Sequence, residues 1–147
     1  MADFVTEKMM IAASPEEILA VLRDFRRYPE WARDLKAVKV LDTDGEGRAR
    51  EVRFRAAGMG HSTNYTLRYD HADASRLSWE LVTGDLTRKL DGYYELNLRA
   101  DGFTDVSYQL EVELVVPLPG FVKRRTQVKI MHTALRELKA RVEASSR

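Results

Sequence analysis

Towards its C-terminal end the chain shows two opposite periodicities in succession. Val106, Tyr108, Leu110, Val112, Leu114 and Val116 alternate with polar residues, the pattern of a strand with one buried face. Phe121, Val128, Met131, Leu135, Leu138 and Val142 then recur at helical spacing, with Ile130 and Ala134 beside them. The first pattern predicts a strand over 103–116, some 46 Å long for about 14 residues. The second predicts a helix of roughly 25 residues, nearly 40 Å long. A strand of that length belongs to a strongly twisted, bent sheet. A long helix laid in its concave side leaves part of the space unfilled, so a pocket is expected between them.

The first third of the chain reads differently. Phe4 to Ala12 is expected to be a strand. Ser14-Pro15-Glu16-Glu17 is a helix start: Ser14 accepts from the Glu17 amide, Glu17 reaches back, and Pro15 needs no amide partner at the first helical position. Ile18, Val21, Leu22 and Phe25 follow on one face. Tyr28-Pro29 breaks this helix, and Pro29 starts a short second one carrying Trp31 and Leu35.

From Lys36 the period becomes two, with strands expected at 36–43, 48–57, 61–71, 76–82, 86–99 and 103–116. The connectors are short turn clusters such as Asp44-Gly45-Glu46-Gly47, Gly58-Met59-Gly60 and Asp101-Gly102. Connectors of that length join antiparallel neighbours, so the middle is a six-strand meander. Pro117 and Pro119 end the last strand, and Gly120 precedes or opens the final helix. One face carries Val52, Phe54 and Ala56, then Thr63, Tyr65, Leu67 and Tyr69, then Leu77, Trp79 and Leu81, then Tyr108, Leu110, Val112 and Leu114. Its opposite, with Glu51, Arg53, Arg55, Arg68, Glu80 and Glu111, faces water. On the sixth strand Leu90, Gly92, Tyr94, Leu96 and Leu98 fit the inner face, and Gly92 with Tyr93-Tyr94 is a candidate bulge.

Composition narrows the function classes. A chain of 147 residues is expected to form one domain, 1–147. Twenty-four basic against 23 acidic residues leave a net charge of +1, so nothing global points to nucleic acid. The chain has no cysteine, which excludes disulfides, thiolate metal sites and a cysteine nucleophile. The first residues lack the plan of a signal peptide and no apolar run approaches a membrane span, so a cytoplasmic protein is expected. His61, His71 and His132 have no metal-ligand spacing, and each reads as structural or solvated. No phosphate loop, zinc signature or nucleophile elbow is present. Neither a cofactor nor a metal is expected.

Strand, two helices, six-strand meander and long C-terminal helix is the order of the helix-grip fold, in the α+β class. Ser14-Pro15-Glu16-Glu17-Ile18 through Tyr28-Pro29-Glu30-Trp31 resembles the opening of the polyketide cyclase/dehydrase and coenzyme-Q-binding branch of the START-like (SRPBCC) superfamily. Trp79, Leu90-Asp91-Gly92-Tyr93-Tyr94-Glu95-Leu96 and the segment from Pro117 to Arg125 are similar to its later landmarks. The resemblance implies a seven-stranded antiparallel sheet wrapped around the C-terminal helix. It also implies a deep cavity between sheet and helix for an apolar, often ring-containing molecule. Fold alone licenses no activity.

The candidate ligand-binding residues follow from the inner wall. Tyr65, Tyr69, Trp79 and Tyr108, joined by Tyr94 and by Trp31 of the second helix, each offer a flat apolar surface with one polar tip. Phe54, Leu67, Leu81 and Leu110 complete the wall, and Val128 and Met131 face it from the helix. Lys123-Arg124-Arg125 opposes the helix dipole, and Arg124 falls on the apolar stripe, at the expected cavity mouth. Pro117-Leu118-Pro119-Gly120 and the Gly58–Gly60 turn are candidate gates.

Three readings stand at this point. The first is binding of a hydrophobic small molecule, such as a polyketide, quinone or lipid-like compound. The second is a polyketide cyclase or dehydratase, for which no position matches an established catalytic residue. The third is a quinone or lipid carrier docking peripherally on membranes through Phe121-Val122 and Lys123-Arg124-Arg125. No nucleic-acid partner is expected, and the protein is expected to be a monomer or weak homodimer.

Overall fold

The computed structural model describes residues 3–58, 61–116 and 118–145. Among these, seven strands form one sheet: β1 (Asp3–Ile11), β2 (Leu35–Thr43), β3 (Ala49–Gly58), β4 (His61–Asp70), β5 (Arg76–Gly84), β6 (Thr87–Leu98) and β7 (Thr104–Leu114). Their order is β1-β7-β6-β5-β4-β3-β2, and each neighbouring pair is antiparallel. Three α-helices accompany the sheet: α1 (Pro15–Arg23), α2 (Tyr28–Trp31) and α3 (Gly120–Ser145), with a 3-10 turn at Phe25–Arg27 between the first two. This is the helix-grip arrangement.

α1 starts as its sequence dictates. The Ser14 hydroxyl accepts from the Glu17 amide at 3.2 Å, and the Glu17 carboxylate accepts from the Ser14 amide in return. Ile18, Leu19 and Leu22 are the residues it buries, while Val21 is only half-buried. The first helix does not run on to Tyr28-Pro29: it ends at Arg23, a 3-10 turn follows, and Tyr28-Pro29 opens a second helix of a single turn. Leu35 is not on it; it is the first residue of β2 and packs on the core from there.

α3 packs mainly over β1 and also against β7, α1 and α2. Met131, Leu135, Leu138 and Val142 are buried completely or nearly so. Phe121, expected on the same stripe, is 71 % exposed. The buried line is Gln127, Met131, Leu135, Leu138 and Val142, so the first two turns of the helix bury little. A polar residue opens the line because it reaches a polar target: Gln127 Nε2 donates to the carbonyl oxygen of Leu110 at 2.7 Å. Lys123 Nζ donates likewise to the Val112 carbonyl oxygen at 3.3 Å. Near its other end, Glu143 accepts from the Ala12 amide at 2.9 Å, Glu137 accepts from the Arg33 amide at 3.2 Å, and Arg141 meets Glu30 at 2.8 Å. The helix is therefore held by polar contacts at both ends and by apolar packing between them.

Two expectations about β6 are corrected. Leu98 is 63 % exposed rather than inward. No bulge lies at Gly92, because the β6–β7 register runs unbroken from Lys89↔Glu113 to Leu98↔Thr104 and shifts only between Thr87 and Lys89. The irregularity is on the neighbouring strand, where Thr66↔Thr83 is followed by Leu67↔Leu81 and leaves Val82 as an extra residue. β5 and β6 pair only from Arg76↔Glu95 to Trp79↔Gly92. Beyond that point the Leu81 amide donates to the Asp91 carboxylate at 2.9 Å instead of to a backbone carbonyl.

Leu138, with no exposed surface, gives the first test. Leu138→Ala is expected to lower stability by about 2–5 kcal/mol. Phe121→Ala, on the exposed turn, should change it by less than about 0.5 kcal/mol. Urea denaturation of the two variants measures the difference.

Candidate functional site

The inward side chains of β3 to β7 bring their aromatic rings into one connected cluster. Trp79 is its hub, with ring centroids 5.8 Å from Tyr69, 5.5 Å from Tyr94 and 5.9 Å from Tyr108. Tyr94 and Tyr108, directly opposed across β6 and β7, approach to 4.4 Å. On the other side Tyr69 meets Phe25 at 4.4 Å, Phe54 stacks on Tyr65 at 5.4 Å, and Tyr28 links Phe25 to Trp31. Gly92 makes the hub possible. A Cβ at that position would lie 2.2 Å from the Gln109 carbonyl oxygen and 3.0 Å from the Trp79 ring, so hydrogen alone fits.

Polar groups in this cluster are unevenly served. The Tyr28 hydroxyl donates to the Leu22 carbonyl oxygen. The Trp79 indole N–H is buried with no acceptor among the described residues. A buried donor left without a partner costs about 1–3 kcal/mol unless a water or a guest accepts from it. Burial pushes the Tyr65 phenol up to about 12. Burial also raises Tyr28, Tyr69, Tyr94 and Tyr108 above the ordinary phenol range, with neighbouring phenols adding to the effect. At neutral pH these five groups are therefore hydrogen-bond donors and not bases.

Of the residues expected to form the site, Phe54, Leu67, Tyr69, Trp79, Tyr94, Tyr108, Leu110 and Met131 are buried. Trp31, Tyr65, Leu81 and Val128 are half-buried against the same core. Arg124 is exposed and makes no hydrogen bond, ion pair or ring contact with the cluster among the described residues. Of the candidate gates, Met59, Gly60 and Pro117 lie outside the described residues, while Leu118 is 45 % exposed. His61 opens β4, its side chain outside the described set, and His132 is exposed.

Two cavities were placed elsewhere than the sequence suggested. The larger, about 550 Å³, lies beside the charged face of β3 to β5, where Arg50, Arg68, Asp70 and Glu80 meet Tyr69 and Trp79. The smaller, about 200 Å³, lies between the end of α1 and the β2–β3 turn. α3 lines neither. Where a chamber against α3 was expected, the Tyr94 and Tyr108 rings of the sheet meet each other and Met131 of the helix is fully buried. Sequence reading also missed three members of the cluster. Phe25 was legible only as helix core, Tyr28 only as a helix breaker and His71 only as an isolated histidine. Nothing in their spacing shows that they converge with Tyr69.

The geometry agrees with known proteins. The family model for polyketide cyclase / dehydrase and lipid transport matches residues 3–143. The chain belongs to that family. A START superfamily protein from Mycobacterium smegmatis superposes with a TM-score of 0.91 at 23 % identity, covering 96 % of this chain and 97 % of that one. The Zhui aromatase/cyclase from Streptomyces sp. R1128 gives 0.85 at 15 % identity, over 100 % and 97 % of the two chains. Ginseng major latex-like protein 151 from Panax ginseng gives 0.70 at 10 % identity, over 95 % and 97 %. At these identities the likeness establishes the START-like fold and not an activity. No curated protein matches in sequence. Among the described residues of this polyketide cyclase/dehydrase and lipid transport family member, no helix is long and apolar enough to cross a membrane. Among the described residues no group of three His, Cys, Asp or Glu side chains could hold a metal ion.

The raised phenols predict an alkaline transition. Each group binds its proton more tightly folded than unfolded, so its stabilising contribution is complete below about pH 10 and is lost as pH rises through the folded value. Absorbance at 295 nm should report phenolate formation by these rings together with loss of near-ultraviolet circular dichroism. Smooth titration of all of them around pH 10 in folded protein would contradict their burial.

Proposed function

We propose that the protein binds a hydrophobic, ring-containing small molecule against the aromatic cluster on the concave side of the sheet. The observation that supports this most is the Trp79 indole N–H, buried among rings with no acceptor among the described residues. A guest carbonyl or hydroxyl oxygen would satisfy it, while the flat faces of Trp79, Tyr69 and Tyr65 cover the guest's apolar body. Affinity then comes from buried apolar area, at about 25 cal/mol per Å², and orientation from the indole and phenol donors. Membership of a family described by polyketide cyclisation and lipid transport favours ligands of polyketide, quinone or lipid-like character.

A cyclase or dehydratase would place the same donors on a ketone oxygen. Ring closure also needs a group that takes a proton, and phenols held above their ordinary range do not serve at neutral pH. Binding without turnover is the better-supported reading. Native mass spectrometry of protein purified from its own host should show a retained compound in the mass range of a small polycyclic or isoprenoid molecule. Tyr65→Phe should leave folding intact and weaken a polar-tipped ligand by about 2–10-fold, the worth of one hydrogen bond. Affinity unchanged by that substitution would remove Tyr65 from the site.

A second reading rests on a separate observation. Leu86, Val115, Val116, Leu118 and Phe121 are all exposed at one end of the sheet, where the Val115 amide donates to the Leu86 carbonyl oxygen. Lys123, Arg124 and Arg125 follow directly on the first turns of α3. An apolar tip followed by the exposed cations Arg124 and Arg125 suits the surface of an anionic bilayer. Co-sedimentation with phosphatidylserine vesicles should be strong at low salt, weak at 0.5 M salt and abolished in Phe121→Asp. Indifference to vesicles at low salt would dispose of membrane docking and leave small-molecule binding untouched.

A further inference from the structure

The cavity of about 200 Å³ between α1 and the β2–β3 turn carries chemistry that the aromatic site does not use. Two of its lining side chains carry buried polar atoms with no partner among the described residues: Arg23 Nε and His71 Nδ1. His71 is only 7 % exposed. Its other nitrogen, Nε2, lies 2.6 Å from the Ala49 carbonyl oxygen. A carbonyl only accepts, so Nε2 carries a hydrogen and the ring is fixed in place. Nδ1, on the same ring, is buried with no partner among the described residues.

The charge balance of the pocket is lopsided. Arg48 is occupied: it meets Asp44 at 3.0 Å and Glu46 at 3.2 Å, and donates to the His71 carbonyl oxygen at 3.4 Å. Asp24 is drawn to Arg27 at 3.1 Å. Arg23 and Arg26 have no carboxylate within 4.0 Å among the described residues. The turn that closes the cavity is held stiffly, since Asp44 accepts from the Glu46 amide at 2.9 Å and from the Arg48 amide at 3.0 Å. Gly47, at φ +81°, lines the cavity without a side chain, leaving open space beside it.

We propose that this cavity is a binding site for one small oxyanion, a phosphoryl or carboxylate group, held by Arg23 Nε and His71 Nδ1. Arg23 supplies a donor and a net positive charge in a partly desolvated setting, where such hydrogen bonds are strongest. A phosphoryl group in its monohydrogen form accepts from Arg23 and donates its own hydroxyl to the His71 lone pair. A carboxylate accepts from both, with the proton then on Nδ1. Both modes give the orphaned atoms a partner. A neutral apolar guest gives neither. The proposal does not depend on the aromatic site.

Long-range ¹H–¹⁵N spectra of the unmutated protein read the His71 ring directly while inorganic phosphate, or separately acetate, is added. The expected result is a saturable change at Nδ1, half-complete at millimolar anion or below. Arg23→Gln should weaken it at least tenfold, and Arg53→Gln on the exposed sheet face should not. His71→Gln offers a second variant should Arg23→Gln fail to fold, and it too should weaken binding, followed by calorimetry. A soluble short-chain phosphatidate binding tenfold more tightly than phosphate would assign the anion to a lipid headgroup; equal binding would assign it to a free small molecule. A His71 ring unmoved by 50 mM of either anion would mean that water alone fills the cavity. Affinity unaltered by both substitutions would overturn the site as well.

Discussion

The structure depends on one close approach: the Trp79 indole lying against the backbone of β6 at Gly92. Any side chain at that position would collide with the Gln109 carbonyl oxygen on β7 and press on the indole. The contact puts a large ring at the middle of the sheet's concave face, and Tyr69, Tyr94 and Tyr108 arrange themselves around it. Core packing to the density of an organic crystal leaves little freedom in such an arrangement. On the same residue the indole N–H is buried without a partner among the described residues.

Most of the fold was legible in the sequence. Alternating Val52, Phe54 and Ala56, the Ser14–Glu17 capping box and the short turn clusters each carry their structural meaning within a few residues. The strands accordingly begin and end within about two residues of where periodicity places them. The failures lie where a distant partner decides. Gln127 looks like a polar interruption of a stripe until the Leu110 carbonyl is brought beside it. Phe121 looks like part of that stripe, yet the helix begins before the sheet is there to cover it. Gly92 signals local irregularity in a one-dimensional reading, whereas its role is to admit a ring from the next strand.

The candidate site was half legible for the same reason. Tyr65, Tyr69, Trp79 and Tyr108 announce themselves because they share a face at period two. Phe25 and Tyr28 reach the same place from the 3-10 turn and the start of α2, and no periodicity relates a helical turn to a strand several elements away. His71 shows the limit most clearly. Its ring is anchored by a backbone carbonyl on β3, stacked near Tyr69 and edge-on to Phe25, contacts that only the folded chain creates.

The parting of β5 from β6 beyond Trp79 and Gly92 has a mechanical meaning. In a continuous ladder, separating two strands breaks backbone bonds one after another. Here the Asp91 carboxylate already stands in at Leu81, on a side chain whose torsions can swing. The two halves of the wall, β5 held by β4 and β6 by β7, are thus paired at one end and joined at the other by the chain itself through Asp85 and Leu86. Between those two ends the strands can bow apart without breaking a continuous ladder.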